Sequence, residues 1–205
     1  MARPRLISDE QILTTMRSCV LEHGAHVSLD VVAEKLGVTS PALLKRFGSR
    51  QELMLQALRP PEKPPFVDTF LAGPDARPLR EQLTDRFAEL WAFFEQIIPA
   101  VSALRESGIP HEKLFDRKHQ RPMLMIEAIK TWLAKADELG LADVPAPESV
   151  ATAILGALQA RAFFAHVSNV KYSARNTRAY LDDLVDLFCR ALAVKGRRPS
   201  RREVA

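Results

Sequence analysis

The sequence predicts an all-α protein, on three observations. Apolar residues recur at three- and four-residue spacing through most of the chain, which is the period of an amphipathic helix. Serine followed three residues later by glutamine or glutamate, the capping box that opens helices, occurs twice near the N-terminus. Glycine or proline stands at the ends of the apolar stretches, where helices stop. With 205 residues, 47% of them hydrophobic, the chain suffices for one large or two modest domains.

The first two helices are predicted from their caps. Ser8 and Gln11 form a capping box, and the helix that follows extends to about His23. A second helix begins after Ser28, whose hydroxyl can accept a backbone N–H, and ends before Gly37, where a left-handed residue favours glycine. Its apolar stripe consists of Leu29, Val32, Ala33 and Leu36.

Two further short helices follow at once. The third begins at Thr39 or Ser40 and ends at Phe47, with a proline in its first turn, where no intrahelical donor is lost. A second capping box, residues 49–52, opens a fourth helix that extends to about Leu58. A helix, a glycine turn and a short second helix form a helix-turn-helix, whose second helix fits the major groove of DNA.

The outward face of the third helix suits DNA. With Leu43 and Phe47 turned inward, it presents hydroxyls, a small apolar side chain and two cations, which match phosphate oxygens and base edges. These outward residues are Thr39, Ser40, Ala42, Lys45 and Arg46. Residues 40–59 carry four cations against one glutamate. The alternative is an ordinary helical protein in which this charged face is only solvated.

The stretch from Ser8 to Leu58 resembles the tetracycline repressor (TetR) family of bacterial transcription regulators. The matching positions are Val32, Ala33, Gly37, Val38, Thr39, Leu43, Phe47, Ser49, Arg50, Gln51, Glu52 and Leu53. The sequence departs from the family at Leu44, where a tyrosine is usual, at Ala42, where a threonine is frequent, and at Arg50, which replaces a lysine. Leucine cannot hydrogen-bond a phosphate, so contacts to the DNA backbone are expected to shift to the neighbouring polar residues.

The resemblance and the outward face together give a predicted set of DNA-binding residues. The set is Ser28, Thr39, Ser40, Pro41, Ala42, Leu44, Lys45, Arg46, Ser49 and Arg50. A basic arm at residues 2–5 is either a minor-groove contact or an ordinary disordered terminus.

Charge and cysteine content add weaker expectations. Residues 1–59, 60–194 and 195–205 carry net charges of +2, −2 and +4, so the overall +4 equals that of the C-terminal tail and is weak support for nucleic-acid binding. Cys19 and Cys189 lie in apolar helical context, as reduced cysteines of a cytoplasmic protein do. No signal peptide or membrane-length apolar run is recognised. The histidines near Cys19 lack paired ligand spacing, so neither a metal nor a cofactor is predicted.

The proline distribution predicts the domain organisation. Residues 60–78 contain six of the fourteen prolines and form a linker, which apolar residues at Phe66, Phe70 and Leu71 are expected to pin in part. The predicted domains are therefore a helix-turn-helix domain at 1–59, this linker, a helical effector-binding and dimerisation domain at 79–194, and a basic disordered tail at 195–205. Helices are expected at 79–98, with a break at Pro99 and a short piece to Gly108, and at 122–139, 148–169 and 174–194.

The last two predicted helices carry the expectation of a homodimer. One helix-turn-helix seldom binds DNA tightly, whereas two copies spaced by one duplex turn read a palindrome. In the TetR family the last two helices form a four-helix interface, which the resemblance transfers to this chain. The predicted interface residues are Val150, Ile154, Ala157, Leu158, Arg161, Leu181, Leu184 and Phe188. Core packing within a monomer is the alternative.

A pocket for a largely apolar effector is also implied by the resemblance. The candidate residues are Trp91, Phe94, Arg105, His119, Met123, Ile126, Trp132, Phe163, Phe164 and His166. Each of these can equally be a plain core residue, because helical periodicity does not distinguish a cavity wall from a filled core.

The predicted function is a ligand-responsive DNA-binding transcription regulator; a repressor is expected, and the sequence leaves an activator open as the alternative. It binds a palindromic operator as a homodimer and is released by a small effector. An enzyme is not expected, because no nucleophile–base set, metal signature or phosphate-binding glycine loop is present in the sequence. The alternative is a helical protein-interaction module without sequence-specific DNA binding.

Overall fold

The structure is a computed structural model that describes residues 7–110, 113 and 121–193. Within these residues it contains nine α-helices and no strand, as the sequence predicts. They are α1 (Asp9–His23), α2 (Leu29–Leu36), α3 (Ser40–Phe47), α4 (Arg50–Leu58), α5 (Phe66–Leu71), α6 (Leu79–Glu106), α7 (Arg121–Glu138), α8 (Pro147–Val167) and α9 (Ala174–Ala191). The basic arm at 2–5, His119 and the tail at 195–205 lie outside the described residues.

The chain divides into two compact units. The N-terminal unit comprises Met1–Glu62 and Gln96–Gln120, and the C-terminal unit comprises Lys63–Glu95 and Arg121–Ala205. The first part of α6 therefore belongs to the C-terminal unit and its last part to the N-terminal unit. This grouping differs from the predicted organisation, in which all of residues 79–194 form one domain.

The helix ends of the N-terminal unit follow the predicted caps. The Ser8 hydroxyl accepts from Gln11 N at 3.1 Å and the Gln11 side chain accepts from Ser8 N at 3.0 Å, which is a complete capping box. Gly37 is left-handed, with φ 66° and ψ 32°, and ends α2. The box at 49–52 is only half formed, because Ser49 Oγ accepts from Glu52 N while Ser49 N donates to the Phe47 carbonyl.

The core of the N-terminal unit is built from α1 to α4 and from the last part of α6. Its apolar centre includes Met16, Val32, Leu43, Met54 and Leu58, all almost fully buried. The residues that α6 and the turn after it add to the same cluster are Ala100, Ala103, Leu104 and Ile109. The helix-turn-helix therefore rests on a helix that lies about fifty residues further along the chain.

The predicted break at Pro99 is wrong. Pro99 lies inside α6, which continues to Glu106. A proline in a helix interior removes one backbone hydrogen bond and costs roughly 3 kcal/mol. Burial of Ala100, Ala103 and Leu104 in the core of the N-terminal unit stabilises the turn that follows and offsets this cost.

The predicted linker contains a helix of its own. α5 occupies six of its residues, and Phe66 and Phe70 on it are buried, as the sequence predicts. Leu71, by contrast, is exposed and does not pin the segment. The segment after α5 is held by the buried side chain of Gln82, which accepts from Asp75 N and donates to the Asp75 and Arg77 carbonyls.

The C-terminal unit consists of α5, the first part of α6, α7, α8 and α9. α8 and α9 end at Val167 and Ala191, two to three residues before the predicted ends. By length and composition alone, α6 and α8 are apolar enough to cross a membrane, a property that core helices of globular proteins share. Only 28% of the apolar window of α8 is buried within the chain, so this helix leaves an apolar face exposed.

Candidate nucleic-acid interface and effector region

Helix α3 has the predicted inward and outward faces. Leu43 and Phe47 are buried in the core of the N-terminal unit. The predicted outward residues are exposed except Ser40, which is half-buried, and Leu44 adds an exposed apolar side chain. Apolar side chains on such a helix can contact the methyl group of thymine, which is a base-specific contact in the major groove.

The two cations of α3 differ in their surroundings. Arg46 Nε lies 2.5 Å from Asp9 Oδ1, and Arg46 Nη1 donates to the Ile7 carbonyl at 2.6 Å. Lys45 has no ion-pair partner among the described residues and is exposed. Lys45 is therefore available to a phosphate as it stands, whereas Arg46 has to share its charge with Asp9.

The hydroxyls around α3 also divide into two groups. Ser28 Oγ and Ser49 Oγ cap α2 and α4, and Ser40 Oγ donates to Asp30 Oδ1. Thr39 precedes α3 without a capping hydrogen bond from its side chain, and it is exposed. Of the predicted hydroxyl contacts, Thr39 is thus the one whose side chain neither caps a helix nor bonds to Asp30.

Arg50 is placed differently from the prediction. Its Nε donates to the Val27 carbonyl at 3.0 Å and its Nη2 donates to the Ala25 carbonyl. These carbonyls belong to the connection between α1 and α2, and both residues are buried. The guanidinium is half-buried there and satisfies loop carbonyls, a role that the sequence does not indicate, while its contact to a phosphate stays a prediction.

Arg50→Ala should therefore lower stability rather than only DNA affinity. Loss of two charge-assisted hydrogen bonds to buried carbonyls is expected to cost about 2–4 kcal/mol. Urea unfolding measures this loss, with Arg59→Ala, an exposed arginine at the other end of α4, as the control. Unchanged stability with a reduced salt dependence of DNA binding would instead return Arg50 to the phosphate contacts.

In the C-terminal unit, aromatic side chains pack edge to face. Phe66 contacts Phe70 and Phe93 with ring centres 6.1 and 5.2 Å apart, and Phe70 contacts Trp132 at 6.2 Å. Phe93 also contacts Phe94 at 5.6 Å. This aromatic cluster joins α5, α6 and α7 through edge-to-face contacts, which stabilise the packing of the three helices.

A polar group lies beside the cluster. Arg86 Nη1 donates to both carboxylate oxygens of Glu89, at 2.7 and 2.8 Å, and the Thr69 hydroxyl donates to Glu89 Oε2 at 2.9 Å. The Arg86 guanidinium stands 5.8 Å from the centre of the Phe70 ring. The prediction missed these residues, although a cation and an acid three residues apart beside an apolar stripe are a readable signal.

The predicted pocket residues do not gather at one place. Trp91, Phe94 and Trp132 are buried in the C-terminal unit, and Ile126 and His166 are half-buried. Three other candidates are exposed, namely Met123, Phe163 and Phe164. Arg105 belongs to the N-terminal unit. Exposure removes Met123, Phe163 and Phe164 from any enclosed pocket within one chain.

The predicted dimer residues are likewise divided. Ile154, Leu158, Leu181 and Leu184 are buried within the chain, so they are part of its core and leave no surface for a partner. Val150, Ala157 and Phe188 are half-buried. The exposed stripe of α8 lies on the other side of the helix and consists of Ala153, Gly156, Ala160, Phe163, Phe164 and Val167. Leu187 is the large exposed apolar residue of α9.

Arg161, also predicted at the interface, lies between two tyrosines. Its guanidinium is 4.1 Å from the ring centre of Tyr172 and 4.0 Å from that of Tyr180. The Tyr180 hydroxyl donates to the Ala157 carbonyl at 2.9 Å, and burial raises the pKa of this phenol, which keeps it a donor. The stack fixes the α8–α9 connection to α9.

Known proteins are similar to this chain in part of its sequence and in its fold. Residues 112–194 match the family model of the C-terminal domain of AefR-like transcriptional repressors. No curated protein matches the chain. Among solved structures, a TetR transcription regulator from Haloarcula marismortui is 16% identical with a TM-score of 0.65, covering 90% of this chain and 97% of its own.

Two further structures share the architecture. A transcriptional regulator from Rhodococcus sp. is 18% identical with a TM-score of 0.63, covering 93% of this chain and 100% of its own. The fatty acid degradation regulator FadR from Bacillus halodurans is 14% identical with a TM-score of 0.60, covering 89% and 96%. The family model covers less than half of the chain, and these structures, all under 25% identical to it, show the fold alone. The chain thus has the fold of these regulators, and its C-terminal part is similar to the C-terminal domain of AefR-like transcriptional repressors.

Proposed function

We propose that this protein is a repressor that binds a palindromic operator as a homodimer and leaves it when a small, largely apolar effector binds the C-terminal unit. The observation that carries the DNA-binding part is the exposed face of α3, where Lys45, Thr39 and Leu44 stand together. A cation, a hydroxyl and an apolar side chain on one helix can contact phosphate, base edge and thymine methyl respectively.

The exposed stripe of α8 supports the dimer. Its centre is made of Ala153, Gly156 and Ala160, and these small residues allow two helices to approach closely. Phe163, Phe164 and Val167 extend the stripe with large apolar area that a lone chain leaves in water. A two-fold axis through this stripe would bring both copies of α8 and α9 into one four-helix interface.

Release by an effector requires unequal binding to two states of the protein. A ligand shifts the equilibrium only by its difference in affinity for the DNA-competent and the DNA-incompetent state, typically about 1–3 kcal/mol. α6 is a continuous helix that supplies residues to the aromatic cluster at one end and to the core beneath α3 at the other. It is therefore the proposed carrier of the coupling.

Selection of genomic fragments with the purified full-length protein, followed by footprinting, tests the function. The expected result is a protected inverted repeat with half-site centres about 34–36 Å apart, or a multiple of one duplex turn. Protection without two-fold symmetry would contradict the dimer, and selection of no fragment would favour the protein-interaction module.

Lys45→Ala should weaken binding to the selected fragment and reduce its salt dependence. Loss of one phosphate contact lowers the slope of log K against log salt concentration by about one unit. Fluorescence anisotropy at several salt concentrations measures the slope. Lys171→Ala, which removes an exposed lysine of the C-terminal unit, is the matched control and should leave the slope unchanged. Equal slopes for both variants would show that Lys45 does not contact a phosphate.

A further inference from the structure

Three buried N–H donors of the C-terminal unit lack an acceptor among the described residues. One is Arg161 Nε, whose guanidinium lies against the rings of Tyr172 and Tyr180, and the other two, Trp132 Nε1 and Arg86 Nε, lie at the aromatic cluster. Trp132 is 1% exposed, and the Arg86 side chain is 14% exposed. Buried N–H groups of folded proteins are nearly always hydrogen-bonded, because an unmade bond leaves the cost of removing the group from water uncompensated. Trp132 Nε1 and Arg86 Nε therefore each leave a hydrogen bond that an acceptor from outside the chain can make.

The side chains of Trp132 and Arg86 share one neighbour, the ring of Phe70. Arg86 Cζ stands 5.8 Å from the ring centre of Phe70, and the ring centre of Trp132 lies 6.2 Å from the same point. Arg86 Cζ and the Trp132 ring centre are thus no farther apart than the sum of these distances. Both donors thus belong to one group of side chains, in which Phe66, Phe70 and Phe93 provide apolar surroundings.

The charge balance at this place selects a neutral acceptor. Glu89 already holds Arg86 through both of its carboxylate oxygens, so the positive charge is compensated. A ligand carboxylate would bring a further, uncompensated negative charge into a buried site, which is unfavourable. A ligand amine would add donors where an acceptor is needed. A carbonyl oxygen supplies two lone pairs without charge.

We propose that the C-terminal unit binds an uncharged, largely apolar molecule whose carbonyl oxygen accepts a hydrogen bond from Trp132 Nε1, with Arg86 Nε as a second donor to the same molecule. This inference rests on the proposed function in so far as the molecule is taken to be the effector. It names the chemical class of that effector: ketones, esters or lactones rather than fatty acids, amines or hydrocarbons.

Acetophenone and ethylbenzene test the proposal, because they have nearly the same shape and differ in the carbonyl oxygen. The ¹⁵N-labelled full-length protein gives two indole N–H signals, from Trp91 and Trp132, which the Trp132→Phe variant assigns. Acetophenone should move the Trp132 proton signal downfield and bind about tenfold more tightly than ethylbenzene. The Trp91 signal is the internal control and should not show this downfield shift.

Two variants examine the donors separately. Arg86→Lys keeps a cation beside Glu89 but lacks the Nε donor, and Trp132→Phe keeps an aromatic ring but lacks the indole N–H. Either should reduce the preference for acetophenone over ethylbenzene and leave the affinity for ethylbenzene within about twofold of the parent. If Arg86→Lys does not fold, Trp132→Phe alone decides. Benzoate should bind more weakly than acetophenone.

Three results would overturn the proposal. One is equal affinity for acetophenone and ethylbenzene with an unmoved Trp132 signal, as expected if only water bonds to the donors. Another is tighter binding of benzoate than of acetophenone. The third is a Trp132→Phe variant that prefers acetophenone over ethylbenzene as strongly as the parent does. DNA binding without any probe is measured in parallel on the selected fragment. If the protein does not bind DNA, the proposed regulator function is refuted and the ligand site is not. If it binds DNA but no probe moves the Trp132 signal, only the ligand site is refuted.

Discussion

Gly156→Leu should give a folded monomer that binds the operator fragment about 10²–10⁴-fold more weakly, since the two helix-turn-helix regions of the dimer are then no longer linked. A Cβ built on Gly156 meets no atom of the chain within 4 Å, so a side chain there does not disturb the fold of one protomer. Replacement of a helix-interior glycine is even expected to stabilise α8 by about 0.5–1 kcal/mol. In the proposed dimer, by contrast, the leucine keeps the two small-residue stripes apart.

Light scattering on a sizing column measures the mass, and fluorescence anisotropy measures the DNA affinity. The control is Ala88→Leu, which adds a similar side chain at an exposed position of α6 and should leave both values unchanged. If Gly156→Leu remains a dimer at micromolar concentration, the interface lies elsewhere. If it is a monomer that binds DNA as tightly as the parent, binding to the operator does not require two helix-turn-helix regions.

The helix-turn-helix was readable from the sequence because its signals are local. Ser8 bonds to a residue three positions on, and so do Ser28 and Ser49. Gly37 ends α2 through its own backbone angles. Each of these features is decided within one helical turn, and Leu43 and Phe47 then fix which face of α3 turns outward.

The partners of charged residues were not readable, because they are distant in sequence. Arg50 bonds to carbonyls 23 and 25 residues before it, where no side-chain type announces an acceptor. Its resemblance to a phosphate-binding lysine therefore gives no indication of these bonds. The pairing of Arg86 with Glu89 has a local signal in the sequence, whereas the contact of Arg86 with the Phe70 ring appears only when α5 packs on α6.

The choice between the two faces of α8 also needed the structure. Ile154 and Leu158 form one apolar row, and the stripe centred on Gly156 forms another on the opposite side. A helix that is apolar all round has no preferred face by periodicity. Packing in the C-terminal unit decides that Ile154 and Leu158 are core, and this leaves the second row for a partner.

Leu104→Ala should destabilise the N-terminal unit by about 2–5 kcal/mol, the usual range for a leucine removed from a core. Leu104 is fully buried in the same cluster as Met16, Met54 and Leu58, although it lies on α6, beyond the predicted helix-turn-helix domain. Because α3 is held by this core, DNA affinity should fall as well. Urea unfolding and fragment binding measure the two effects.

Val101→Ala is the matched control, because Val101 is half-buried on the same turn of α6 and should cost less than about 1.5 kcal/mol. Comparable losses of stability in both variants would mean that any truncation on α6 destabilises the protein and that Leu104 has no specific contribution. If neither variant loses stability, residues 1–59 fold without a contribution from α6. A large loss confined to Leu104→Ala would show that the end of α6 is an integral part of the core that holds α3.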